Sequence, residues 1–293
     1  MKSKTIIVLA GGISSRMKNP THVNLSVDDK LLEDANKKSK AMIGVGNGYR
    51  PFLDYLLFNV KKSGYQNVII VIGEKDNSIK QYYGSNVVND FLGLKITYAT
   101  QFIPSNRTKP LGTADALFSA VKVSDRLKDD EFTVCNSDNL YSVDALTLML
   151  NTKYKNAMIN YDRDGFEFEN ERVERFAITK IDGEGFLLDI IEKPSAELID
   201  EVIDQYGFVG VSMNIFKLNY NMIYSFLENV EFHRERNEKE LPTAIKNMID
   251  KFPQSLKTFK MKEHVPDLTS KKDIIPVKKY LLKEFAKSNF ENE

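Results

Sequence analysis

The sequence predicts a doubly wound α/β fold, a mostly parallel mixed sheet with helices on both faces. Three observations predict it. The runs Thr5 to Leu9, Val68 to Ile72 and Phe132 to Cys135 are continuously apolar and rich in β-branched residues, as strands buried on both faces of a parallel sheet are. Segments of helical spacing separate them, supplying the crossovers that parallel neighbours need. The first run also breaks abruptly into glycines, serines and an arginine, reading TIIVLAGGISSRM. Loops at the carboxyl ends of such strands are where open α/β sheets bind ligands.

The elements follow in order. After the first strand, Gly11 and Gly12 permit turns that leave amide hydrogens free for an anion, Ser14 and Ser15 add hydroxyls, and Arg16 adds a planar cationic fork suited to phosphate. The competing reading is a plain glycine turn beside a surface arginine. Residues 18–38 are polar and form an insertion with a short helix at Lys30 to Ala35. A lid over a nucleotide and a solvated excursion both fit it, the excursion better. Pro51 opens a helix bearing Phe52, Tyr55, Leu56 and Val60 at helical spacing, and Gly64 closes it. Ser78 to Tyr83 is a helix, Lys95 to Ala99 a strand, Thr113 to Val121 a helix and Val143 to Leu150 a helix. From Asn156 the pattern turns to strands with short helical breaks: Ala157 to Asn160, Phe176 to Ile181, Leu187 to Glu192 and Val209 to Phe216. Helices return at Asn221 to Asn229, Glu240 to Lys251 and Lys271 to Phe285, with a strand at Leu256 to Met261. The polar tail after Phe285 reads as frayed. This organisation is one domain over 1–270 with a helical C-terminal appendage at 271–293.

Candidate chemistry sits at the ends of these strands. QFIPSNRTKPLGTADA, residues 101–116, joins a strand to a helix, and its length suits a binding loop or a plain connection equally. Gln101 carries an amide able to read a base edge, and Gly112 allows close backbone approach. In VCNSDNLYS, Asp138 stands just past a buried strand, where a magnesium ion would bridge protein and phosphate oxygens. It would equally cap the next helix, although Asn139 and Ser142 are also placed for that. Glu192 and Lys193 end another strand, either as a surface ion pair or as contacts for sugar hydroxyls and a second phosphate. Asp267, after Pro266, is by itself an ordinary turn residue.

Composition narrows the function classes. The 293 residues hold 41 Lys plus Arg and 41 Asp plus Glu, so no global field favours nucleic acid or an anionic membrane. The single Cys135 excludes an internal disulfide and a multi-cysteine zinc site, and it reads as a buried thiol. The apolar start is too short for a signal-peptide core or a membrane span, so a cytoplasmic protein is expected. His22, His233 and His264 share no metal-ligand spacing and read as surface residues. No Gly-x-Ser-x-Gly elbow supports hydrolase chemistry.

In this order, LAGGISSRM, Lys40, PLGTADA, NSDNLYS, EKP and the late Asp267 resemble the sugar nucleotidyltransferases, or nucleotide-sugar pyrophosphorylases, from Thr5 to Asp267. The resemblance implies a Rossmann-like nucleotidyltransferase sheet and transfer of a nucleotidyl group from an NTP to a sugar 1-phosphate, with Mg2+, releasing pyrophosphate. It implies nucleotide contacts from Leu9, Ala10, Gly11, Gly12, Ser14, Ser15, Gln101, Leu111, Gly112 and Thr113. Arg16, Lys40, Asp138 and Lys193 would be catalytic, Asp138 and Asp267 would hold magnesium, and Glu192, Lys193 and Asn214 would bind the sugar phosphate. UTP or dTTP is favoured through Gln101, with a hexose 1-phosphate such as glucose 1-phosphate as acceptor, although GTADA and VSMNIF are similar to the adenylyl-transferring branch. Nucleic acid and membrane are not expected partners, and a homo-oligomer is left open. Gly12-Ile13-Ser14 replaces the usual Gly-x-Gly and Ser39 the usual proline before Lys40; with no tryptophan near Asp267, these departures motivate two alternatives. One is cytidylyl transfer to a non-sugar phosphate such as phosphocholine; the other is a catalytically silent nucleotide-binding regulatory protein.

Overall fold

The computed structural model describes residues 4–19, 28–174, 176–192, 194–286, 288 and 290. In chain order, β1 (Thr5–Leu9) leads to a single turn, α1 (Ser15–Lys18), then to α2 (Asp29–Lys37) and α3 (Phe52–Lys62). Next come β2 (Asn67–Gly73), α4 (Ser78–Tyr83), β3 (Asn89–Phe91), β4 (Leu94–Gln101), α5 (Thr113–Val123), β5 (Glu131–Asn136) and α6 (Val143–Asn151). β6 (Ala157–Asp162), α7 (Asn170–Val173), β7 (Ile178–Ile181), β8 (Leu187–Ile191), α8 (Ala196–Tyr206), β9 (Gly210–Val211) and β10 (Ile215–Asn219) follow. The chain closes with α9 (Tyr220–Asn229), α10 (Leu241–Lys251), β11 (Lys257–Met261) and α11 (Ile274–Glu284).

All eleven strands join one sheet in the order β3-β4-β2-β1-β5-β10-β6-β9-β7-β8, with β11 on β6. β4, β2, β1 and β5 are parallel, and antiparallel pairing enters with β10 on one side and with β3 on the other. Because side chains alternate across a strand, β1 feeds two cores. Ile6 and Val8 pack with Leu53, Leu56 and Val60 of α3 and Leu146 of α6, whereas Ile7 and Leu9 pack with Leu117 of α5, Ile223 of α9 and Ile245 of α10. This is the doubly wound mixed sheet that the apolar runs predict.

Four expectations are corrected. The segment Val209 to Phe216 is two strands, because Asn214 takes a left-handed φ of 55° and the register on β6 shifts between Val211 and Phe216. The break before it is the eleven-residue α8, capped by Ser195, which accepts from Leu198 N–H. The described part of the insertion is no solvated excursion: α2 buries Leu31 and Ala35 in the first core, and Asp34 accepts from Gly44 N–H at 3.2 Å. At the C-terminus, Ile274, Val277 and Leu281 of α11 enter the core shared by Ile6. Of the tail expected to fray, Phe290 packs on Tyr55 and Phe58 at ring-centroid distances of 5.0 and 4.5 Å. No described helix is long and apolar enough to cross a membrane.

Candidate active site

The carboxyl ends of β1, β4 and β5 converge on a cavity of about 290 Å³. Gly11 lies just beyond β1, Gln101 ends β4 and Asn136 ends β5, so the parallel register itself brings these three loops together. Of the residues implicated by sequence, Leu9, Ala10, Gly11, Gly12, Ser14, Ser15, Arg16, Lys40, Gln101, Gly112, Thr113 and Asp138 line it. Leu111, Glu192, Asn214 and Asp267 do not, and Lys193, like His22, lies outside the described residues. Ser39, Lys109, Ser137 and Glu238 line it without having been expected. Lys109 belongs to the 101–116 loop, so its charge was available as a signal; nothing local marks Glu238.

The glycine loop is shaped by close approaches. A Cβ on Gly11 would lie 2.9 Å from Gln101 Oε1, whereas one on Gly12 would meet nothing within 4 Å. Gln101 is 2% exposed, and its Nε2 donates to Gly112 O at 2.9 Å and to Asp115 Oδ2 at 2.8 Å. Both partners are acceptors, which fixes the amide's orientation and turns its oxygen towards Gly11. At the start of α5, Gly112 has φ +120°, and a Cβ there would lie 2.4 Å from Lys239 O. Ala114 N–H donates to that same oxygen at 2.9 Å, Lys239 N–H donates to Leu111 O at 2.5 Å, and Leu241 N–H donates to Thr113 Oγ1 at 2.9 Å. Residues 239–241 therefore strap the 101–116 loop to α10, and Leu111 serves this strap from outside the cavity.

Lys40 reaches the cavity on a 3-10 turn whose Ala41 and Met42 are buried. Its N–H donates to Ser14 Oγ at 3.2 Å, and its Nζ donates to Asp138 Oδ2 at 2.7 Å. Arg16 is exposed and lines the same cavity. Ser142 is the cap of α6, accepting from Ala145 N–H at 3.0 Å, so Asp138 is not needed there. The segments that carry Asp138 and Asp267 do meet. Residues 138–140 and 266–268 pair antiparallel through Leu140 N–H to Pro266 O at 2.9 Å and Leu268 N–H to Asp138 O at 2.8 Å, with a bridge between Asn139 and Asp267. Burial first, and the nearby Asp138 charge second, push the Asp267 carboxyl up, while Arg172 opposes both. Thr269 donates to Asp267 Oδ1 at 2.6 Å and Arg172 to Oδ2 at 2.6 Å. The described residues hold no group of three or more His, Cys, Asp or Glu poised for a metal.

Behind Asp138, the buried Tyr141 hydroxyl donates to Met213 O at 2.6 Å, tying the loop to the bend before β10. Tyr141→Phe leaves that carbonyl without its bond and should lower unfolding stability by about 1–3 kcal/mol in a urea titration. Elsewhere Glu192 pairs with Arg236, whose other nitrogen reaches Glu240 at 2.7 Å. Asn214 exposes no side chain to the cavity. Burial pushes the Cys135 thiol far up, as an inert thiol requires. His264 is half-buried rather than freely exposed: it packs on Phe168 and Tyr280, at 4.7 and 5.7 Å between ring centroids, and burial pushes its pKa down.

A model of the family described as nucleotidyl transferase matches residues 29–282, so the glycine loop lies outside the matched span. The chain is 28% identical over 145 residues to D-glycero-alpha-D-manno-heptose 1-phosphate guanylyltransferase of Campylobacter jejuni, covering 50% of this chain and 52% of that one. It is 24% identical over 197 residues to glucose-1-phosphate adenylyltransferase 2 of Vibrio cholerae, covering 67% of this chain and 44% of the relative. It thus spans about half the length of the curated relatives it matches. Among solved structures, UTP-bound UGPase from Acinetobacter baumannii superposes with a TM-score of 0.70 at 17% identity, covering 97% of this chain and 95% of that one.

Proposed function

Because the chain belongs to the nucleotidyl transferase family, we propose that it is a sugar-1-phosphate nucleotidyltransferase. It would transfer a nucleotidyl group from UTP or dTTP to a hexose 1-phosphate such as glucose 1-phosphate and release pyrophosphate. The observation that carries this reading is the pairing of the segment of Asp138 with that of Asp267 beside a cavity lined by the glycine loop, Arg16, Lys40 and Asp138.

The chemistry suits that set. The attacking phosphate oxygen is already anionic near neutral pH, so no general base is required. The α-phosphorus gains the acceptor oxygen and loses pyrophosphate, and the protein's task is to align the two and spread the charge. Loop amides at Gly11 and Gly12, with Arg16 and Lys40, would hold the triphosphate and the leaving group. Asp138 and Asp267 offer hard oxygen donors, which fit magnesium held by one or two carboxylates and completed by substrate phosphates. Bound there, the ion would neutralise phosphate charge. Lys193 and Glu192 would meet the sugar phosphate, Glu192 after leaving Arg236.

Gln101 supports a base that presents a ring N–H. With both its donors engaged, only the carbonyl oxygen is left to face a ligand, and it accepts hydrogen bonds. Uracil and thymine present an imide N–H, as does guanine, whereas adenine and cytosine present a ring acceptor at the corresponding edge. The relatives' own names divide between guanylyl and adenylyl transfer and a UTP complex, so family membership alone leaves the base open.

The test is initial-rate pyrophosphate release with UTP, dTTP, GTP, ATP and CTP, each against sugar 1-phosphates and phosphocholine. Turnover should require UTP or dTTP together with a hexose 1-phosphate. Gln101→Leu should raise the KM for that triphosphate about tenfold or more and flatten the base preference. A preference for CTP with phosphocholine would contradict the sugar assignment.

A further inference from the structure

Arg172 is a cation that no sequence pattern marked. It sits on the one-turn α7, donates to Asp267 Oδ2 at 2.6 Å and also to Asp273 Oδ1, and lies over the Phe168 ring at 4.3 Å. Asp273 is itself fixed, accepting from Thr269 N–H at 3.0 Å and Ser270 N–H at 2.6 Å at the start of α11. With Lys40 on Asp138 at 2.7 Å, each carboxylate assigned to magnesium already carries a protein cation.

The consequence is electrostatic. A divalent ion approaching this pair alone meets carboxylates that are already neutralised, and it must displace a cation from one of them. Lys40 is the easier to move: it holds one carboxylate through a single ammonium on a flexible stem, and a triphosphate offers it a stronger anion. Arg172 is harder to move, because its planar fork spans two carboxylates and stacks on an aromatic face.

We propose that Arg172 is a positioning residue, the resident counter-ion of Asp267, which keeps the carboxylate pair from taking a divalent cation until a triphosphate arrives. This rests on the reading of Asp138 and Asp267 as magnesium carboxylates. Metal and nucleotide then bind together, and the free protein holds little metal.

The experiment is Mn2+ titration of the full chain, followed by water-proton relaxation, which reports metal on the protein without turnover. Wild type should bind Mn2+ weakly alone and strongly with UTP or dTTP. Arg172→Met should bind Mn2+ alone about tenfold tighter or more, and Arg172→Lys, which keeps the charge but loses the fork, should fall between Arg172→Met and wild type. Adding Asp267→Asn to Arg172→Met should remove the gain. Wild-type binding as tight without triphosphate as with it overturns the proposal even if Arg172→Met does not fold. So does Arg172→Met binding no tighter than wild type while the nucleotide complex still shows bound metal; in that case the magnesium reading stands. If no protein shows bound Mn2+ with or without nucleotide, the magnesium reading itself fails.

Discussion

Asp138→Asn should lower turnover about a thousandfold while leaving the fold intact. On the proposed reaction the loss follows from charge: a neutral amide would not help hold a divalent cation, and its amino group is a donor facing the Lys40 ammonium. The fold survives because the side chain does no structural work beyond that contact. Ser142 caps α6, and the bond that ties this loop to residues 266–268 comes from the Asp138 backbone oxygen, which the substitution keeps. Initial rates beside a thermal melt separate the two effects. Near-native turnover would remove Asp138 from the reaction.

Gly112→Ala should act on the fold itself, by about 3 kcal/mol, and weaken nucleotide binding with it. A methyl there would sit 2.4 Å from Lys239 O and 2.9 Å from Lys239 N, on a residue whose φ of +120° already disfavours a side chain. Neither contact ends in a flexible side chain that can swing away; the strap from 239 to 241 must move, and the α5 start with it. Gly12→Ala is the informative contrast. With open space around it, the added methyl should leave the melting temperature unchanged while intruding on the cavity and, on the proposed reading, raising the KM for triphosphate. Urea denaturation of both variants, with KM for each, checks the pair. Equal stabilities would contradict the strap.

Much of this was legible in the sequence, and the reason differs from element to element. Buried parallel strands announce themselves because both faces are apolar, so β1, β2 and β5 needed no context. The cavity lining from Leu9 to Arg16 was legible because glycines and hydroxyls follow such a strand directly. Asp138 and Asp267 are different. What joins them is a short antiparallel pairing between residues 138–140 and 266–268, far apart in the chain, and no local pattern encodes it. Arg172 was invisible for the same reason: it lies in a charged run, ENERVER, that reads as a solvated face. The bend at Asn214 was missed because Val209 to Phe216 keeps strand composition throughout, and a left-handed φ at an asparagine leaves little trace in composition. His264 was misjudged because polar sequence neighbours conceal the Phe168 and Tyr280 rings that pack on it.

The most direct test of the central claim, direct displacement at the α-phosphorus with no protein nucleophile, is exchange of labelled pyrophosphate into nucleoside triphosphate. With magnesium and the preferred triphosphate but no acceptor, the label should stay in pyrophosphate. With the corresponding nucleotide sugar in place of triphosphate, the label should appear in newly formed triphosphate alongside an equal amount of sugar 1-phosphate. Exchange into triphosphate without any sugar compound would mean a covalent nucleotidyl-protein intermediate and would contradict the account. Failure of the nucleotide sugar to yield triphosphate, across the panel of bases, would contradict the assigned reaction.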